Sequence, residues 1–371
     1  MPTFAEIRGQ ESAHDLLRGA AARGRLPHAY LFHGAPGVGK TTTALALAQY
    51  INCDRPRGGD SCGTCPPCRK LARLKHPDLH WLFPMLSGLK GAKRADHIRK
   101  TSDERLEPGV FRFHFSQAAS IAIGRDSDTR AGSIGELRHQ AGMTGVEARV
   151  KTFVISEADR MTDAAANSLL KVLEEPPPDN LLVLCTSNPG AMLDTIMSRC
   201  QGLRFRDLSE DEIVELLVER EGAGAGAARL AAALGQGSLT RAAALAAEDV
   251  VALRDQAVAV LSIPPDDPRS HEAVRELAAT KDREVIHRLL DFGLLWQSDL
   301  LRVLTGSDVP PANRDREALL REQASGLDVA EVRRRVAAID AARRAMAGNV
   351  YLPLVIRGLL EGLAGRPVFT T

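Results

Sequence analysis

The chain has 371 residues, 48 Lys and Arg against 47 Asp and Glu, and a formal net charge of +1. That length provides for two or three domains with buried cores, and the near-neutral balance excludes a global attraction to nucleic acid. No apolar run reaches the roughly 18 residues of a membrane span, and Met1-Pro2-Thr3-Phe4-Ala5-Glu6 lacks the basic and apolar blocks of a signal peptide, so no membrane contact and a cytoplasmic location are expected.

In chain order, Glu11 to Arg23 reads as an opening helix, closed by a turn at Gly24 and Pro27. Ala29-Tyr30-Leu31-Phe32-His33 is a short apolar run and reads as a buried strand. Gly34-Ala35-Pro36-Gly37-Val38-Gly39-Lys40-Thr41 then spells a complete phosphate-binding loop, and Thr42 to Tyr50 reads as the helix behind it. The chemistry requires this order. Glycines let successive backbone N–H groups face phosphate oxygens, and the helix N-terminus adds partial positive charge. Lys40 is placed to reach the β- and γ-phosphates and Thr41 to ligate Mg²⁺. The candidate nucleotide-binding set is Gly34, Gly37, Val38, Gly39, Lys40, Thr41 and Thr42, with ATP and Mg²⁺ as expected ligands.

Four of the six cysteines follow within residues 53–68: Cys53, Cys62, Cys65 and Cys68. Four thiolates with two-residue spacings can close a tetrahedral zinc shell, with no position left open for catalysis, so a structural Zn²⁺ is expected. Gly58, Gly59 and Gly63 permit the tight turns that bring backbone N–H groups to the sulfurs. Two disulfides would suit a secreted chain, and an iron–sulfur cluster also takes four cysteines, although the spacing matches neither common ferredoxin run. Cys185 and Cys200 read as packing residues.

Further along, residues 77–84 form a plausible second strand, and 87–130 reads as loops or an insertion. A helix is expected from Ile134 to Ala141, a strand from Val150 to Ile155, a helix from Ala164 to Leu173 and a strand from Leu181 to Thr186. Strands alternating with helices around a phosphate loop imply a mainly parallel α/β sheet. Past about Arg206 the pattern turns helical: Ser209 with Glu212 three residues on is a capping pair, Gly222 to Gly226 is a break, and Pro264 to Pro268 is a boundary. The basic stretches Lys90–Arg105 and Arg333–Arg344 read as solvated faces.

The phrases Phe153-Val154-Ile155-Ser156-Glu157-Ala158-Asp159-Arg160-Met161, Asn167 to Pro177 (with Leu169-Leu170-Lys171-Val172-Leu173-Glu174-Glu175-Pro176-Pro177) and Ser198-Arg199-Cys200 resemble the core of a clamp-loader ATPase, a branch of the AAA+ superfamily. The cysteine module belongs to the same pattern, and the likeness covers roughly residues 1–245. It implies an ATPase domain over 1–205 with the zinc module at 53–68 inserted, a helical lid over 206–263, and an all-helical collar over 264–371. It also implies a five-subunit ring with motor (tau/gamma) and delta subunits, acting on a sliding clamp and primer-template DNA in replication by DNA polymerase III. Motor subunits follow the strand 153–155 with Asp-Glu. Here Ser156 stands at the Asp position and leaves Glu157 as the residual catalytic acid, while Asp159 reads as a cap of the next segment. Motor subunits carry a lid arginine where Thr240 stands; Arg241, one residue on, points about 100° around a helix. The resemblance assigns phosphate sensing to Thr186 or Ser187, and makes Arg199 an arginine finger offered in trans to a neighbouring subunit. Weakened cis chemistry with an intact finger implies a stator with little ATPase of its own. The alternatives are a motor ATPase of the same loader, or a zinc-dependent nucleic-acid-binding module with a vestigial loop. The second would want aromatics interleaved with basic residues, and aromatics are only 4% of the chain.

Overall fold

Apolar runs too continuous for a half-exposed strand become the centre of one parallel sheet. The computed structural model describes residues 3–106, 119–124, 126–279, 283–348 and 350–366. Contacts divide the chain into two units, Met1–Glu212 with Gly237–Thr240, and Ile213–Gln236 with Arg241–Thr371. In the first, the order is α1 (Glu11–Ala22), β1 (Ala29–His33), α2 (Lys40–Ile51), α3 (Pro66–Ala72), β2 (Leu79–Leu82), β3 (Met85–Leu86), α4 (Gly91–Leu106), β4 (Ala119–Ser120), α5 (Ser127–Arg130), α6 (Ile134–Ala141), β5 (Lys151–Ile155), α7 (Asp163–Glu174), β6 (Asn180–Thr186), α8 (Asp194–Met197) and β7 (Gln201–Arg204).

The sheet has five strands in the order β2-β5-β6-β1-β7, all paired in parallel. Both faces are covered, which is why the central strands read as unbroken apolar runs. Leu31, Phe153, Ile155, Leu182 and Leu184 pack on one face with Leu137 of α6 and Leu169 of α7. Tyr30, Phe32, Val154, Val183 and Cys185 pack on the other with Leu17 of α1 and Leu45 of α2. Register brings the chemistry together. His33 pairs with Thr186, and Ile155 with Leu184, so the loops opening at Gly34, Ser156 and Ser187 leave the same edge of the sheet. Ligands of such sheets bind outside the carboxyl ends of the strands.

Two elements depart from the sequence reading. The segment 87–130, read as loops or an insertion, contains the 16-residue α4; its residues 107–118 and 125 lie outside the described residues. In α4, Arg94 is buried and its Nε donates to the Ala131 carbonyl at 2.5 Å, with Ile98 and Ser102 half-buried along the same face. A buried arginine and a serine erase the apolar period by which such helices are found. The edge strand β7 was equally hidden, because only Leu203 of its four residues is buried.

The predicted cap at Ser209 is present. Helix α9 (Glu210–Glu221) opens with Ser209 Oγ accepting from Glu212 N at 3.2 Å, while the Glu212 carboxylate accepts from Ser209 N at 2.8 Å. Arg206 grips the same carboxylate and holds its pKa at about 2. Among the described residues, every element of the second unit is a helix. Leu230, Leu234, Val250 and Ala257 share one core there with Ile286, Leu290, Ile339, Val355 and Leu359. Arg254 is buried beside that core, and its guanidinium donates to both Asp315 oxygens at 2.7 and 2.8 Å.

Candidate functional site

The loop after β1 can follow its path only with glycine at two points. Gly34 has φ +149°, and a Cβ there would lie 2.4 Å from the Phe205 carbonyl oxygen. Gly37 has φ +76°, and a Cβ would lie 2.2 Å from Thr240 Oγ1 and 2.5 Å from its backbone nitrogen. No side chain is compatible with either approach. Gly39, also at positive φ, caps α2 and hands the chain to Lys40.

Lys40 is 7% exposed, and its ammonium donates to the carbonyls of Gly34 at 2.7 Å and Ala35 at 2.6 Å and to Ser187 Oγ at 3.0 Å. Burial lowers its pKa to about 8, against the opposing fields of Cys185, Asp159, Asp207 and Glu157. Ser187, at the end of β6, is thereby brought to the lysine. Thr41 Oγ1 lies 3.0 Å from the Oγ of Ser156, the residue that follows β5. Trp81 of β2, which sequence reasoning missed, donates its indole N–H to the same Ser156 oxygen at 2.8 Å. Nothing local marks Trp81; only the pairing of β2 with β5, Trp81 opposite Val154, puts it there.

Glu157 has φ +52° and its carboxylate lies 3.4 Å from Arg160 Nη1. Asp159, read from sequence as a cap, instead accepts from Thr186 Oγ1 at 2.6 Å, tying the turn after β5 to the end of β6. Thr240 is 5% exposed, packs on Gly37, and its hydroxyl oxygen is buried with no hydrogen-bond partner among the described residues. Arg241 donates to Gln236 Oε1 at 3.3 Å.

Arg199 follows the one-turn helix α8. Its Nη2 lies 2.9 Å from Glu174 Oε1, at the end of α7, and its Nη1 donates to the Thr195 carbonyl at 2.9 Å. The side chain is 35% exposed, so the guanidinium is presented at the surface of this unit rather than in its core. Neighbouring Cys200 packs against the α6–α7 core, and burial pushes its thiol up to about 11.

The four clustered cysteines converge. Their sulfurs all lie within 4.8 Å of one another, and Cys53 Sγ is 4.0 Å from Cys65 Sγ. A tetrahedral site with metal–sulfur bonds of about 2.3 Å needs sulfurs about 3.8 Å apart, so the donor set fits such an ion. Backbone N–H groups point at the sulfurs, Cys62 N to Cys53 Sγ at 3.3 Å and Cys65 N to Cys62 Sγ at 3.4 Å, as thiolates require. Gly63 supplies the left-handed turn, with φ +68°. None of the six cysteines is in a disulfide. The module is tied to its surroundings: Arg18 Nε donates to the Gly59 carbonyl, Ala5 N to Asp60, and Arg149 to the Cys53 carbonyl.

Comparison with known proteins follows the same outline. Residues 9–209 match the family described as DNA polymerase III, delta subunit. The chain is 35% identical over 206 residues to DNA polymerase III subunit delta' of Bacillus subtilis, covering 56% of this chain and 50% of that protein. It is 34% identical over 223 residues to the gamma/tau subunit of Mycobacterium bovis, covering 59% and 32%. It is 30% identical over 178 residues to subunit delta' of Escherichia coli, covering 48% and 42%. The chain thus spans half or less of the length of these relatives. Among the described residues, no helix is long and apolar enough to cross a membrane.

Proposed function

The chain belongs to the DNA polymerase III delta subunit family, and from that premise we propose that it is the delta prime, stator-type subunit of a clamp loader. In this reading it sits with tau/gamma motor subunits and a delta subunit in a five-membered ring that loads a sliding clamp onto primer-template DNA. The AAA+ α/β domain carries the phosphate loop, residues 206–263 act as lid, and 264–371 as collar. Arg199 is its contribution to a neighbour's active site. Zn²⁺ on Cys53, Cys62, Cys65 and Cys68 is structural. The location is the cytoplasm, where replication proteins of this kind work.

One observation carries the stator reading: a neutral Ser156, bonded to Thr41 and Trp81, ends the strand that must present a metal-orienting carboxylate. Thr240 adds to it, since the residue packed over Gly37 has no charge with which to sense a γ-phosphate. Glu157, the remaining acid, lies beside Arg160. The similarity to gamma/tau subunits favours, as a second reading, a motor ATPase, but that function needs the two groups replaced here. The purified chain is therefore expected to hydrolyse ATP no faster than its Lys40→Ala variant. Turnover like that of an isolated motor subunit, abolished by Lys40→Ala, would establish the motor reading instead.

Triphosphate binding itself should depend on pH through Lys40. Free Lys40 loses its proton near pH 8, whereas phosphate oxygens beside it favour the charged form. Binding then takes up a proton at higher pH. Affinity for ATP is expected to fall by up to about tenfold per pH unit above 8, measured by calorimetry.

A further inference from the structure

A magnesium ion on a phosphate loop draws on two protein groups: the hydroxyl after the lysine, and a carboxylate on the neighbouring strand that orders its water shell. Thr41 supplies the first. At the second position Ser156 offers a neutral oxygen, and one of its lone pairs already accepts the Trp81 indole N–H at 2.8 Å. An indole has no acceptor to return. The positive end of its N–H dipole therefore faces the place where a cation's hydration shell needs anionic oxygen. Ser156 also shares a hydrogen bond with Thr41, 3.0 Å away, in which either hydroxyl can donate. The neighbouring acids are engaged elsewhere: Glu157 with Arg160, and Asp159 Oδ1 with the Thr186 hydroxyl. This donor set does not fit Mg²⁺, a hard ion that holds to near-octahedral oxygen coordination and is usually bound through carboxylates.

The anion-binding half is intact. Lys40 is buried at the mouth of the loop with Ser187 beside it, and α2 presents its N-terminus there. Taken together, an anion site is retained while the cation site beside it is closed. We propose that this loop takes the polyphosphate tail of a nucleoside triphosphate without a divalent cation, and that Trp81, acting through Ser156, is the specificity-determining residue that keeps the metal out. The inference rests on the reading that the loop binds triphosphate. It extends that reading, because a ligand held without metal serves as a fixed part of the fold rather than as fuel. In solution, magnesium then competes for the ligand instead of bridging it to the protein.

Calorimetric titration of the full chain with ATP, in excess Mg²⁺ and in EDTA, tests this directly. Affinity in EDTA is expected to equal or exceed that in Mg²⁺. Ser156→Asp alone sets the new carboxylate against the Trp81 N–H, which competes with the metal's water shell, so its gain from Mg²⁺ is expected to be smaller than that of the double variant. The double variant Ser156→Asp, Trp81→Phe frees that carboxylate, and Mg²⁺ is expected to tighten its ATP binding about tenfold or more. Wild-type binding that weakens about tenfold in EDTA overturns the metal-free site and leaves the triphosphate reading standing. Equal magnesium gains in the single and double variants remove the role given to Trp81. Binding in neither buffer overturns both the ligand and the inference.

Discussion

In a loader reassembled from tau/gamma, delta and this chain, Arg199→Ala is expected to slow hydrolysis at the adjoining motor site by about 10³-fold or more. The variant chain itself should fold and assemble as before. The reason is a comparison of magnitudes. Within its own unit Arg199 is paired with Glu174 at 2.9 Å, but both side chains are substantially exposed, at 35% and 48%. Such a surface pair contributes about 1 kcal/mol at most. A 10³-fold effect on the transferred phosphoryl group corresponds to about 4 kcal/mol. In the proposed ring, the surface pair with Glu174 would therefore not hold Arg199 back from a neighbour's triphosphate. Arg199→Lys should recover only part of the rate, because a point charge replaces a planar fork. Glu174→Gln should leave it intact. Single-turnover hydrolysis with primed DNA and clamp reads all three, and an unchanged rate in Arg199→Ala would remove the finger from the mechanism.

Much of this architecture is legible without coordinates because its determinants are local. The phosphate loop is specified by glycines in the left-handed region, as Gly37 at φ +76° and Gly39 at φ +97° illustrate. The central strands are buried on both faces, so Phe153–Ile155 and Leu181–Cys185 are apolar at successive positions. Four cysteines over sixteen positions leave few alternatives to convergence. What escaped depends on long-range pairing. Trp81 reaches Ser156 because β2 pairs with β5, and residues 75 positions apart carry no local signal of contact. Asp159 was assigned to its own segment, yet its carboxylate meets Thr186 on the next strand. Helix α4 hid for a different reason: its buried stripe includes an arginine satisfied by a carbonyl. Residues that complete a site from another element are the ones a motif cannot list.

The second large effect is expected at the cysteine module. Metal analysis should return about one zinc per chain for the wild type and none for Cys62→Ser, since three thiolates no longer close the shell. Apparent stabilisation by a four-ligand zinc site can reach about 10 kcal/mol. The loss should nevertheless stay local. Cys53, Cys62, Cys65 and Cys68 form their own cluster, distinct from the two cores that hold the sheet. What depends on them is the excursion itself and its ties to the N-terminal segment: Arg18 of α1 with Gly59, and Ala5 with Asp60. Hydrogen exchange should therefore quicken over residues 53–72 and at the amide of Ala5, while β5 and β6 keep their protection. The end of α2 should hold as well, because Asn52 is bonded independently to Ala48 and Val150. Iron in place of zinc, or a metal-free wild type with full protection over 53–72, would overturn the structural zinc. Loss of protection throughout the sheet would show instead that the module supports the phosphate loop's own domain, and would tie metal content to nucleotide binding.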